Sequence, residues 1–123
     1  MKYDPDMQPD PDEWLEADED ARLSAVLAFH GDALGDPQRD QFHAYFHTIA
    51  ENQVALGDET PAAATLKRLM REGLGRHDAI HALASVTSEM LYDMQGSGKP
   101  YSNKDFEKRL KRITAKRWLR GGG

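Results

Sequence analysis

The chain has 123 residues, 39% hydrophobic and 30% charged, a globular balance that fits one domain. It contains no cysteine, which excludes disulfides, thiolate zinc sites, iron–sulfur clusters and cysteine nucleophiles, so any metal must be held by nitrogen and oxygen. The net charge of −5 hides a polarity, because residues 1–20 carry nine carboxylates against one lysine while residues 99–123 carry nine Lys/Arg against two carboxylates.

The proline-rich acidic start, residues 1–17, reads as an extended arm anchored by Trp14 and Leu15, with one short helical turn begun by Asp10, Pro11 and Glu13. This start lacks the basic and apolar regions of a signal peptide, and no apolar run reaches the roughly 18 residues of a membrane span, so a cytoplasmic location is expected. The helical domain is set at 18–120. Its first helix runs from about Asp18 to about Ala33, with Leu23, Val26, Leu27 and His30 on one stripe.

Asp36-Pro37 is a cap followed by a first-turn proline, and it predicts a second helix that Gly57 ends. Phe42, Tyr45, Phe46, Ile49 and Leu56 are its apolar stripe. Thr60-Pro61 starts a short third helix with Leu66, Leu69 and Met70, ended by Gly73. The fourth opens near Gly75-Arg76 and carries Ile80, Leu83, Ala84, Leu91 and Met94 to the breaker Gly96-Ser97-Gly98. Arg76 itself opposes the dipole preference of a helix start; it reads first as a plain surface residue, with pairing to an acid or facing an anion as the alternatives. Ser102 with Asp105 resembles a capping box, after which Phe106, Leu110, Ile113 and Trp118 give a basic fifth helix. Glycines 121–123 form a flexible tail. With no strand-like alternation and short connections, the expected fold is all-α: a compact bundle of about five helices with an acidic arm and a basic C-terminal helix.

Four of the five histidines form two pairs, His43 with His47 and His77 with His81. A spacing of four residues puts both rings of a pair on one helix face, about 5–6 Å apart at Cβ. Glu51 extends the first row by a turn, and Glu89 lies two turns beyond His81. If the second and fourth helices pack together, His43, His47, His77 and His81, with Glu51 as a further ligand or base, can serve Zn, Fe, Mn or nickel. His30 reads as a helix-end packing or hydrogen-bonding group. The plainer reading, in which the rings pack in the core with their nitrogens bonded to neighbours, is weighed ahead of the metal one.

His77-Asp78-Ala79-Ile80-His81 is one methylene away from the zinc-hydrolase helix motif, which has glutamate in place of Asp78. Asp78 and Glu51 are therefore the candidate catalytic carboxylates. The order His30, His47 to Glu51, His77 to His81 is similar in spacing to the ligands of hemerythrin-like bundles, although those of a last helix are missing after His81. The segments from His43-Ala44-Tyr45-Phe46-His47 through Glu51-Asn52-Gln53, and Gly73-Leu74-Gly75-Arg76-His77-Asp78-Ala79-Ile80-His81-Ala82, resemble small bacterial proteins grouped as domain of unknown function eighteen forty-one. The resemblance covers about residues 10–95 and implies a helical cytoplasmic protein, with no activity attached.

Lys108, Arg109, Lys111, Arg112, Lys116 and Arg117 make the fifth helix cationic and are the candidate partner-binding residues. Two functions follow. One is a helical bundle that binds a transition metal through the histidine pairs. The other is an accessory protein that docks on a protein or RNA through its acidic arm and basic helix, with structural histidines. No DNA-binding motif is recognised.

Overall fold

A computed structural model describes residues 1–31 and 35–121 of the chain. All its regular structure is helical: α1 (Pro11–Glu16), α2 (Glu19–His30), α3 (Pro37–Ala55), α4 (Ala62–Arg71), α5 (Arg76–Ser97), α6 (Asn103–Leu110) and α7 (Ala115–Gly121), with a 3-10 turn at Gly57–Glu59. Local chemistry sets most of these boundaries. The Asp10 carboxylate accepts from the Glu13 amide at 3.0 Å, Asp36 accepts from Gln38 at 3.0 Å, and Ser102 accepts from Asp105 at 3.3 Å. Pro11 and Pro37 occupy first helical positions, where no amide is missed. Gly98, at φ 73°, closes α5 in the left-handed conformation. The predicted end of the first helix at Ala33 lies outside the described residues.

The expectation of about five helices gives way to seven among the described residues. The short turn at Asp10 is a helix of its own, and the basic fifth helix is divided. The division has a tertiary cause. Arg68 of α4 donates through Nη2 to the carbonyls of Leu110 and Ile113, at 3.1 and 2.9 Å, and so satisfies the end of α6. Glu72, the residue that closes α4, accepts from the Ala115 amide at 2.9 Å and caps the start of α7.

Helix α3 lies between α2 and α5 and makes the most extensive contacts with both. One apolar core joins α3, α4, α5 and α6 around Leu66, Leu69, Ile80, Leu83, Met90 and Phe106. A second gathers Tyr3, Trp14, Val26 and Ala44 at the other side of α3. The N-terminal arm is folded onto the body, a departure from a freely extended segment. Tyr3 and Pro5 are buried, the Tyr3 hydroxyl donates to Glu51, and Trp14 is 2% exposed with Nε1 donating to Asn52 Oδ1 at 2.8 Å.

The periodicity of α3 leaves the exposure of its aromatic residues open, and the structure turns two of them outward. Phe42 and Tyr45 are 60% and 49% exposed, whereas Asp40, Ala44, His47, Thr48, Glu51, Val54 and Ala55 face inward. The Glu51–Arg76 ion pair described below favours this phase, and the histidine cluster lies on the same inward face. No helix among the described residues is long and apolar enough to cross a membrane.

Candidate metal centre

Three helices deliver all five imidazoles to one place. α2 supplies His30 from its last residue, α3 supplies His43 and His47, and the first two turns of α5 supply His77 and His81. Neighbouring ring centroids are 4.3 to 5.8 Å apart, from His47–His81 to Phe29–His77 at the margin. One nitrogen each from His30, His47, His77 and His81 lies within 4.8 Å of the other three. Bonds of about 2.0–2.1 Å to a tetrahedral ion require each ring to close by less than about 1 Å. His43, predicted as a ligand, stands beside this group, with its Nε2 3.1 Å from His81 Nε2. His30, read as a helix-end packing or hydrogen-bonding group, does bond from the last residue of α2 to the Val26 carbonyl, and its ring is also one of the four.

Several ring nitrogens of this cluster lack hydrogen-bond partners. His30 Nδ1 donates to the Val26 carbonyl at 2.8 Å, which leaves the lone pair on Nε2. That Nε2, both nitrogens of His47 and Nε2 of His77 are buried without a hydrogen-bond partner. Burial lowers the pKa of His47 to about 2, and His81, His43, His30 and His77 repel its proton further. Burial likewise lowers His81 to about 4, followed by repulsion from His43 and His77. His30 and His43 are also lowered, chiefly by burial, while the negative charge of Asp40 acts in the opposite sense on both. Each of these rings, when neutral, offers one lone pair and one N–H, and the buried nitrogens of His30, His47 and His77 find no partner for theirs.

The carboxylates predicted for this site are elsewhere. Glu51, one turn beyond His47, is fully buried but turned to Arg76, with contacts of 2.8 Å (Oε1–Nη2) and 2.9 Å (Oε2–Nη1), and it also accepts from Tyr3. Arg76 additionally donates to the Pro5 carbonyl at 2.8 Å and to Gln8 Oε1 at 3.1 Å, so it is a buried tie between arm, α3 and α5 and no surface residue. Burial works to lower the Arg76 pKa, but the Glu51 carboxylate outweighs it and the net shift is upward. Burial, then the Glu51 charge, raises the Tyr3 phenol. The charge of this buried carboxylate is met by the guanidinium, and three of its acceptor sites are taken by Arg76 and Tyr3.

Asp78 follows His77 by one residue, about 100° around the helix, and is exposed. Glu89 is exposed as well and pairs with Arg109 at 3.2 Å. Asp40 is the group that the sequence reading passed over. It is buried one turn before His43, and its charge acts on His30 and His43. Its spacing of three residues from His43 was the available signal.

The cationic residues of the C-terminal helices are divided in their engagements. Arg109 contacts Glu89, Asp93 and Asp105 at 3.2, 2.8 and 3.0 Å, and Lys111 pairs with Glu107 at 3.3 Å. Lys108, Arg112, Lys116 and Arg117 are exposed. Comparison of the chain with protein-family models, with curated proteins and with solved structures finds no match.

Proposed function

We propose that the protein is a metal-binding helical bundle that holds one first-row transition ion through His30, His47, His77 and His81, with His43 beside them. The observation that carries this reading is the convergence of one nitrogen from each of the four rings, together with buried nitrogens of His30, His47 and His77 that have no hydrogen-bond partner. An unsatisfied buried acceptor costs about 1–3 kcal/mol, and several in contact multiply that cost. A cation that accepts their lone pairs removes it at a single point. The His30 Nδ1–H to carbonyl bond is the kind of contact that fixes a metal-binding ring in one tautomer. A nitrogen donor set suits zinc first, then iron or nickel, whereas manganese favours carboxylate and water oxygen.

Elemental analysis of the untagged chain, paired with melting curves on addition of zinc, iron(II) or manganese(II), tests the reading. About one equivalent of tightly held ion and a clear rise in Tm are expected. Ion held 100-fold above its Kd adds about 2.7 kcal/mol, which is about 10 °C for a chain of this length. Less than about a tenth of an equivalent, with no rise in Tm for any of the three ions, rejects it.

A further inference from the structure

The histidine cluster meets Phe29 and also borders an open pocket. Phe29 sets its ring edge-on against His30 and His77, with centroids 5.3 and 5.8 Å away. His43, His47 and His81 also line an open pocket of about 540 Å³, together with Phe42, Phe46 and Trp118. The hydroxyl-bearing Ser85 and Ser88 line its α5 side. An aromatic lining with a few polar groups and this volume are the attributes of a small-molecule site.

Ser85 and Trp118 also border a second concavity of about 380 Å³, so the two adjoin along these residues. Its rim carries Glu89, Arg109, Arg112 and Arg117. Arg109 is neutralised by its three carboxylates, of which Glu89 is one. Arg112 and Arg117 have no ion-pair partner among the described residues. Arg117 Nη1 donates to the Arg112 carbonyl at 3.0 Å, which orients that guanidinium and leaves its other N–H groups for a ligand. An occupant therefore meets imidazole at one end, flat apolar surface along its body and two uncompensated cations at the other end.

We propose that the joined concavities bind a small aromatic carboxylate, with its ring against Phe46 and Trp118, its carboxylate at Arg112 and Arg117 and its far edge at His43 and His81. The ligand class thus deepens the metal-binding reading and rests on it for the occupancy of that far end alone. A guanidinium suits a carboxylate because its planar fork makes two parallel charge-assisted hydrogen bonds. A tryptophan face suits the ring and tolerates a neighbouring arginine.

Calorimetry on the full chain, zinc-loaded and metal-free, with 2-naphthoate, 2-naphthamide and inorganic phosphate as probes, tests this. Naphthoate should bind about tenfold more tightly than the neutral amide and than phosphate. The exposed double variant Arg112→Gln/Arg117→Gln, with an unchanged Tm, should lower naphthoate affinity to the level of the amide. Trp118→Leu, which keeps an apolar side chain at the core margin, should weaken both naphthyl probes. Equal binding of naphthoate and naphthamide, tighter binding of phosphate, or indifference to the double arginine change overturns the proposal. Zinc binding without naphthoate binding overturns the pocket alone. Naphthoate binding with this arginine dependence but without zinc binding upholds the pocket and overturns the metal reading alone.

Discussion

Replacement of Glu51 by glutamine isolates the energetics of the buried arm lock. The carboxylate is fully buried and accepts from both terminal nitrogens of Arg76 and from Tyr3, so Glu51→Gln leaves the shape nearly intact and removes the charge. Arg76, 5% exposed, then keeps a positive charge with no anion beside it. Breaking a buried pair in this way costs about 3–5 kcal/mol. An unfolding entropy of about 2.1 cal/mol/K per residue converts this loss, over 123 residues, to a fall in Tm of about 12–20 °C. Urea unfolding and calorimetry of Glu51→Gln, beside the apolar pair variant Glu51→Leu/Arg76→Met, measure it. The pair variant should regain most of the loss, because no lone charge remains buried. A loss below about 1 kcal/mol for Glu51→Gln refutes the reasoning. The same variant should show an unaltered zinc-induced rise in Tm, because this carboxylate is spent on Arg76. Loss of that rise in a folded variant returns Glu51 to the ion.

His47→Leu should hold or raise the Tm of the metal-free chain, because a buried imidazole with two unpartnered nitrogens becomes an apolar group, and it should abolish the zinc-induced rise. The metal-free chain should be fully stable above about pH 6.5 and lose stability below it. The unfolded imidazoles bind protons there while folded His81 and His47 refuse them until about pH 4 and about 2. Urea midpoints that stay level from pH 7.5 to 5 contradict this. Arg68→Ala should cost about 1–2 kcal/mol by releasing the carbonyls of Leu110 and Ile113, with faster amide exchange confined to α6 and α7 as the local signature.

Much of the helical framework was legible from local chemistry. Asp10-Pro11, Asp36-Pro37 and Ser102 with Asp105 mark starts that depend on side-chain oxygens meeting free amides within three residues, so chain order alone specifies them. The two histidine pairs were legible for the same reason, since a separation of four residues fixes a shared face of a helix. Helix periodicity does not say which face turns inward. On α3 the stripe containing Phe42 and Tyr45 left the inward face undecided, and the structure exposes these two and buries Asp40, His47 and Glu51.

Interactions between segments far apart in the chain decided what local pattern left open. Glu51 continues the His43–His47 row in sequence, yet Arg76, 25 residues later, draws its carboxylate away from the rings. His30 joins the cluster because α2 packs against α3 and brings its last turn to His43 and His47, at ring separations of 4.7 and 4.5 Å. The basic C-terminal segment divides because Arg68 and Glu72 of α4 receive the carbonyls and the amide exposed at the break. The sequence by itself determined where helices begin and which rings share a face, through contacts within one or two turns. Only tertiary packing decided which donors meet, because desolvation and ion pairing act between residues that no local spacing relates.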